Sequence, residues 1–371
     1  MMDEVPPLPP LEGDLIIEDD FDFIRQITVF STGLIVILLG WYSWQFFTGE
    51  ITLIGPGELV LEQDEGFDSL TKLDPVDHLT GKGVKVCIVD TGIDMEHPDL
   101  SEVKLGDWSD FIGNKNSPYD DQGHGTMMAG ILVAEGGITG LAINVELYVA
   151  KALSSNGSGQ DSVVADAIDW CITKNVHIIS LSLGGAPGAF FIGGDDVEDA
   201  VDDAYSEGIV VVAAAGNDGE DDDGDVASPG TVSTVICVGG VDVNGALWTG
   251  SSVGDNNGNL FPVRFIRFDP DKKPEIVAPG EDVPVIIAGG GWGIAAGTSA
   301  ATVYVSGAIA LMFEENPELR AGESNGGEDS LDDIKMWLMN TAKPKEGQTD
   351  HDNHYGYGLL QIEDLVQAPQ G

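Results

Sequence analysis

VKVCIVDTGID, residues 84–94, is the stretch on which the fold turns. From Val84 to Val89 only Lys85 interrupts an apolar, largely β-branched run. A strand apolar on both sides of its pleat has no face to offer water, so this one reads as buried on both faces. Asp90-Thr91-Gly92 then ends it in a turn. The same grammar recurs in ELYVAKAL (146–153), VHIISLSL (176–183), IVVVAAAG (209–216) and VSTVICVGG (232–240). Between these runs lie helix-period segments, SVVADAIDWCITK (162–174) and DDVEDAVDDAYSEG (195–208). Buried strands alternating with helices predict an α/β domain. Its sheet is parallel and mostly doubly wound, with helices on both faces.

The 371 residues are 42% hydrophobic and include 50 glycines, a composition that fits a globular core with many tight turns. Charge is far out of balance: 63 Asp and Glu stand against 16 Lys and Arg, for a net −47. Such a surface repels phosphate backbones, so nucleic acid is excluded as a partner. Its excess of acid resembles that of proteins working in strong salt, where screening removes self-repulsion; an acidic extracellular protein is the plainer alternative. Cys87, Cys171 and Cys237 all fall in apolar runs, with no CxxC, and read as buried free thiols.

Residues 1–26 form an acidic, Pro-rich tail. ITVFSTGLIVILLGWYSWQFFT (27–48) follows without a charge and is expected to be a transmembrane helix. Trp41, Tyr42, Trp44, Phe46 and Phe47 crowd its far end as interface residues do. Arg25 at the near end favours the N-terminus inside, making the protein single-pass in the cell membrane with its domain outside. A cleaved signal peptide is the rival, though FFTGE makes a poor cleavage site. Residues 49–77 read as a juxtamembrane linker, and 78–368 as the globular domain.

In parallel sheets, reactive groups gather at the carboxyl ends of the strands. Asp90 ends one strand and Asn217 follows another within a Gly turn, while His124 sits in a GHG turn before an apolar helix and Ser299 opens GTSAATVYVSGAIAL (297–311). Each has a plainer reading alone, as a turn residue or a helix cap. Together they supply what acyl transfer needs. Ser299 would be the nucleophile, His124 its base, Asp90 the group that orients the imidazole, and Asn217 a donor to the oxyanion.

The set extends well beyond four residues. LTGKGVKVCIVDTGIDMEHPDL (79–100), DQGHGTMMAG (121–130), IISLSLGG (178–185), AAAGNDG (213–219), KPEIVAPG (273–280), AAGTSAATVYVSGAIAL (295–311), NTAKP (340–344) and HYGYGLLQIEDLV (354–366) resemble, in order, the sequence blocks of the subtilisin-like serine proteases. The resemblance implies a serine endopeptidase acting on polypeptides, with Asp90, His124 and Ser299 as triad and Asn217 in the oxyanion hole. It also implies that Ser182, Leu183 and Gly184 pair with substrate backbone as an added strand.

Departures from the family pattern are Met127 after GHGT, Ala300 after the serine, and Val303 and Tyr304 where the family has Pro and His. They keep open a catalytically weak or inactive, membrane-anchored peptide-binding protein as the alternative. Residues 50–80 leave no room for the longer inhibitory prodomain of many secreted relatives. No cofactor is expected. Asp99 matches a carboxylate that many relatives give to calcium, but the partner loop in ILVAEGGITGLA (131–142) is shortened. The acidic loop GNDGEDDDGDVASPG (216–230) lacks the spacing of an EF-hand and reads as solvated.

Overall fold

The computed structural model describes residues 17–47, 55–184, 196–219, 224–258 and 266–370. The chain divides into two compact units, Met1–Ile54 and Gly55–Gly371. The first contains helix α1 (Ile17–Phe47), which begins within the acidic stretch rather than at the charge-free run. Val29, Phe30, Val36 and Ile37 on it are all exposed. The expected membrane span finds no support here: among the described residues, no helix is long and apolar enough to cross a membrane.

The second unit is built on a seven-stranded sheet. Its strands, in chain order, are β1 (Lys85–Asp90), β2 (Leu105–Asp110), β3 (Glu146–Lys151), β4 (Ile178–Leu181), β5 (Val210–Ala214), β6 (Ile236–Val241) and β7 (Ile276–Pro279). They lie in the order β2-β3-β1-β4-β5-β6-β7, every pairing parallel. A hairpin of β8 (Val283–Ile286) and β9 (Trp292–Ala295) stands apart. The five strands read from sequence are all present. β2 escaped that reading because it is an edge strand whose LGDWSD pattern is polar and half exposed. β7 to β9 escaped because Pro279, Pro284 and Gly293 interrupt their short apolar stretches.

Alternation along β1 divides the core in two. Val86 and Ile88 pack with α3 (His124–Val133) and α6 (Thr298–Glu315), whereas Cys87 and Val89 pack with α4 (Asp161–Thr173) and α5 (Asp196–Ser206). The sheet is therefore covered on both faces, as the unbroken apolar runs require. α6 is buried at every position from Thr298 to Phe313, so it is a central helix without a polar face. The domain closes with α7 (Glu328–Thr341) and α8 (Ile362–Gln367).

Two further sequence expectations change. Within the stretch read as a linker, Glu58–Thr71 form a helix, α2, which buries Val60, Phe67 and Thr71. The Phe67 ring lies 6.2 Å from that of Tyr304 on α6. Cys87 and Cys171 are joined as a disulfide rather than left as thiols, their Cα atoms 6.0 Å apart. Eighty-four residues separate them in sequence, and only the crossover from β1 to α4 brings them together. Cys237 alone is free and buried, and burial pushes its thiol far above the ordinary range.

Candidate active site

β1 delivers Asp90 to the sheet's carboxyl edge, and α3 begins at His124. Two glycines bring these ends together. Gly123 takes φ 102° at the cap of α3, a conformation open to few other residues. A Cβ on Gly125 would lie 2.1 Å from the Gly92 carbonyl oxygen, so only glycine lets the helix end meet the β1 turn. His124 Nδ1 then stands 2.8 and 2.9 Å from the two carboxylate oxygens of Asp90. Asp90 is fully buried and also accepts the Thr91 amide at 2.6 Å. With Nδ1–H committed to the carboxylate, Nε2 is left as the acceptor. The Asp90 charge raises the His124 pKa above its ordinary value; burial opposes the rise, and the hydrogen bond and Asp120 add to it.

Asp120 was not singled out from sequence. Its Oδ1 accepts the Thr91 hydroxyl at 2.9 Å and the Gln122 and Gly123 amides at 3.1 and 2.7 Å. Its Oδ2 accepts the Thr126 amide and hydroxyl at 2.9 and 2.6 Å. Burial alone would raise its pKa, but the Thr126 hydroxyl and the surrounding amides outweigh burial and hold it below the usual carboxylate value. The loop before His124 and the first turn of α3 thus close on one carboxylate. An Asp three residues ahead of a GHG motif is the only sequence signal, and it is shared by ordinary turn residues.

Ser299 is the second residue of α6 and 8% exposed. Its hydroxyl donates to the Ser182 carbonyl at 3.1 Å, and the Ser182 hydroxyl donates to the Ser299 carbonyl at 2.9 Å. No hydrogen bond joins Ser299 to His124 in this arrangement. Asn217 Oδ1 accepts from the Thr298 amide at 2.9 Å and hydroxyl at 3.0 Å. That fixes the amide's orientation and leaves Nδ2 as a donor. A Cβ built on Gly297 would lie 3.7 Å from Asn217 Nδ2 and 3.8 Å from both Asn217 Oδ1 and the Ser299 amide nitrogen. The absent side chain leaves a space facing the Asn217 amide and the Ser299 N–H at a helix N-terminus, and with Oδ1 engaged by Thr298 the donors there favour an anion. α6 runs unbroken through Val303 and Tyr304.

Ser182, Leu183 and Gly184 continue past the end of β4, and Gly184 is exposed. Opposite them, Gly216 leads into Asn217. The Ala227 methyl stands between, so close that a Cβ on Gly184 would meet it at 2.8 Å and one on Gly216 at 3.2 Å. Behind it, Asp225 is buried and paired to Arg267 by two bonds of 2.8 and 2.9 Å. Asp218 is exposed, and residues 220–223 of the acidic loop lie outside the described residues.

The Asp99 carboxylate does not suit calcium. It is buried, and its Oδ2 accepts the Trp292 indole N–H at 2.6 Å and the Gly137 and Ile138 amides at 2.9 and 3.3 Å. Calcium needs a shell of oxygens, whereas these are donors. The shortened loop after α3 has put N–H groups where a cation would sit. Among the described residues, no group of three or more His, Cys, Asp or Glu could hold a metal ion.

Comparison with known proteins extends this geometry. The model of the subtilase family matches residues 81–358. Subtilisin E of Bacillus subtilis (strain 168) is 33% identical over 293 residues, covering 78% of this chain and 67% of that protein. Serine protease AprX of the same strain is 35% identical over 316 residues, covering 78% and 67%. Alkaline protease of Alkalihalobacillus alcalophilus is 36% identical over 289 residues, covering 77% and 64%.

Proposed function

The chain belongs to the subtilase family and is a serine endopeptidase, and from that premise we propose that it cleaves peptide bonds through an acyl-enzyme on Ser299. The observation that carries this reading is the His124 ring held on both oxygens of the buried Asp90. Substrate enters as an extended strand along Ser182, Leu183 and Gly184. The Ser299 hydroxyl then exchanges its bond to the Ser182 carbonyl for one to His124 Nε2, and attacks the scissile carbonyl as Nε2 takes its proton. Asp90 stabilises the imidazolium so formed. The oxyanion lies in the space in front of Gly297, where it receives Asn217 Nδ2–H and the Ser299 amide. Collapse expels the amine with a proton from His124, and water repeats the sequence to release the acid.

A fluorophosphonate probe tests the assignment. Wild type is labelled covalently, and Ser299→Ala is not. A folded wild type that resists labelling removes the acyl-enzyme and leaves the inactive, peptide-gripping alternative.

As to place, we propose attachment to the cell membrane through α1, with the protease domain outside. The reading is supported by the charge-free run of residues 27–48 and by the Cys87–Cys171 disulfide, since such bonds persist in oxidising compartments. A chain lacking residues 1–54 should leave the membrane fraction that holds the full chain. Equal partition of both into the soluble fraction sinks the anchor.

A further inference from the structure

β3 ends at Lys151, the register partner of Asp90 across the β1–β3 ladder. Its side chain is wholly buried. An ammonium taken out of water is costly unless each of its protons finds an acceptor. Lys151 has three: the Thr91 carbonyl, the Leu153 carbonyl at 3.0 Å and Asp121 Oδ1 at 2.7 Å. The Tyr119 ring adds a cation–π contact at 4.9 Å. If the position served packing alone, an apolar side chain of similar length would fill it without the desolvation cost.

The origin of the acceptors is informative. Thr91 is the residue after Asp90, while Tyr119 and Asp121 belong to the segment that leads into His124. One cation therefore grips both arms of the acid–base pair. Asp121 is 45% exposed at its side chain, so its carboxylate has water as an alternative. The bridge to Lys151 draws this end of the loop against β1. Asp120 holds the other side of the same segment through Thr91 and Thr126.

We propose that Lys151 is a positioning residue for the catalytic base, fixing the segment before His124, and through it the imidazole, against the strand end that carries Asp90. This rests on the triad reading given above. The general cost of displacing a reacting group by an ångström is a loss of about 100-fold in rate, which sets the scale expected here.

The test uses the full chain carrying Lys151→Met or Asp121→Asn, with kcat and KM measured per folded molecule on a peptide substrate. Lys151→Met should lower kcat about 10- to 100-fold while KM stays within about twofold, because the Ser182–Gly184 edge is untouched. Asp121→Asn should lower kcat in the same direction by less. In a His124→Ala background, adding Lys151→Met should leave the residual rate within about twofold, since the lysine acts only through that ring. An unchanged kcat with only a lower melting temperature overturns the proposal, as does an equal loss on the His124→Ala background. Should Lys151→Met fail to fold, Asp121→Asn decides, and normal turnover in it overturns the proposal. Full activity in Ser299→Ala would instead mark failure of the underlying triad reading.

Discussion

His124 sits among carboxylates, with Asp90 on its Nδ1 and Asp120 gripping the loop on either side of it, whereas Ser299 sits among hydroxyls, amides and carbonyls. On the reading proposed above, with His124 as base and Ser299 as nucleophile, the difference follows from what each group must do. A base has to change charge, and fixed charges around it set the pH at which it does so. A nucleophile needs position, and the anion it creates needs neutral donors rather than nearby carboxylates. In a chain of net charge −47, the hydrogen bonds given above for Ser299 and Asn217 involve no carboxylate, although Asp218 follows Asn217 directly. Asp225, a buried acid two residues before Ala227, is paired with Arg267.

The sharpest test of that contrast is Asp90→Asn. Loss of the tautomer-fixing carboxylate should lower kcat by about 10⁴-fold. Since Asp90 raises the His124 pKa, and only neutral imidazole accepts a proton, activity in the wild type should fall as pH drops through a value above the ordinary 6.5. In Asp90→Asn the acid limb of the residual activity should move down. The linked stability has the opposite dependence. The protonated His124–Asp90 pair stabilises the fold fully below the ordinary histidine pKa, and that contribution is lost as pH rises through the raised one. An acid limb that stays put on loss of Asp90 breaks the contrast.

Asn217→Ala should cost about 100- to 1,000-fold in kcat with little change in KM, the magnitude being that measured for the equivalent loss in subtilisin. Its acid limb should not move, because no charge near His124 has changed. Gly297→Ala places a methyl in the space reserved for the anion and should lower kcat by about 10- to 100-fold, again without a pH shift. A pH–rate profile for either variant that departs from wild type would show the halves to be coupled.

The smallest effect is expected at Ala227→Gly. Removing this methyl deepens the slot between Gly184 and Gly216, and should raise relative turnover of peptides with Phe or Tyr before the cleaved bond by about tenfold. Matched peptides differing only at that residue measure it. An unchanged preference would mean that this slot does not receive the side chain.

Much of this was legible in the sequence because its signals are periodic or local. Doubly buried strands announce themselves by unbroken apolar runs, and strand-end Asp90, GHG-borne His124 and helix-opening Ser299 each carry a turn or cap signature beside their chemistry. What stayed hidden depends on crossovers. Lys151 in ELYVAKAL carries no sign of its partners, and only the β1–β3 pairing brings it beneath Thr91. Cys87 and Cys171 each look like a core thiol, and neither sequence context points to the other. Asp99 was already doubtful as a metal ligand because the loop after α3 is short, but the Trp292 indole that occupies it comes from 193 residues away, and nothing beside Asp99 in the sequence announces it. β2 was missed for a different reason: an edge strand has one side in water, so its pattern loses the apolar run that marks its neighbours.

The Cys87–Cys171 bond also makes the protein a covalent ring with two tails. Asp90, Asp120, His124 and Lys151 all lie on the ring, while Asn217 and Ser299 lie on the C-terminal tail. When the chain unfolds with the bond intact, closure of a loop this long removes on the order of 4–5 kcal/mol of chain entropy from the unfolded state. That restriction falls on the acid–base half alone. During refolding, aspartate and histidine search for each other within a tethered volume, whereas the serine must be recruited from the open chain. Reduction should therefore slow recovery of the first half more than that of the second, erasing a head start built into the connectivity.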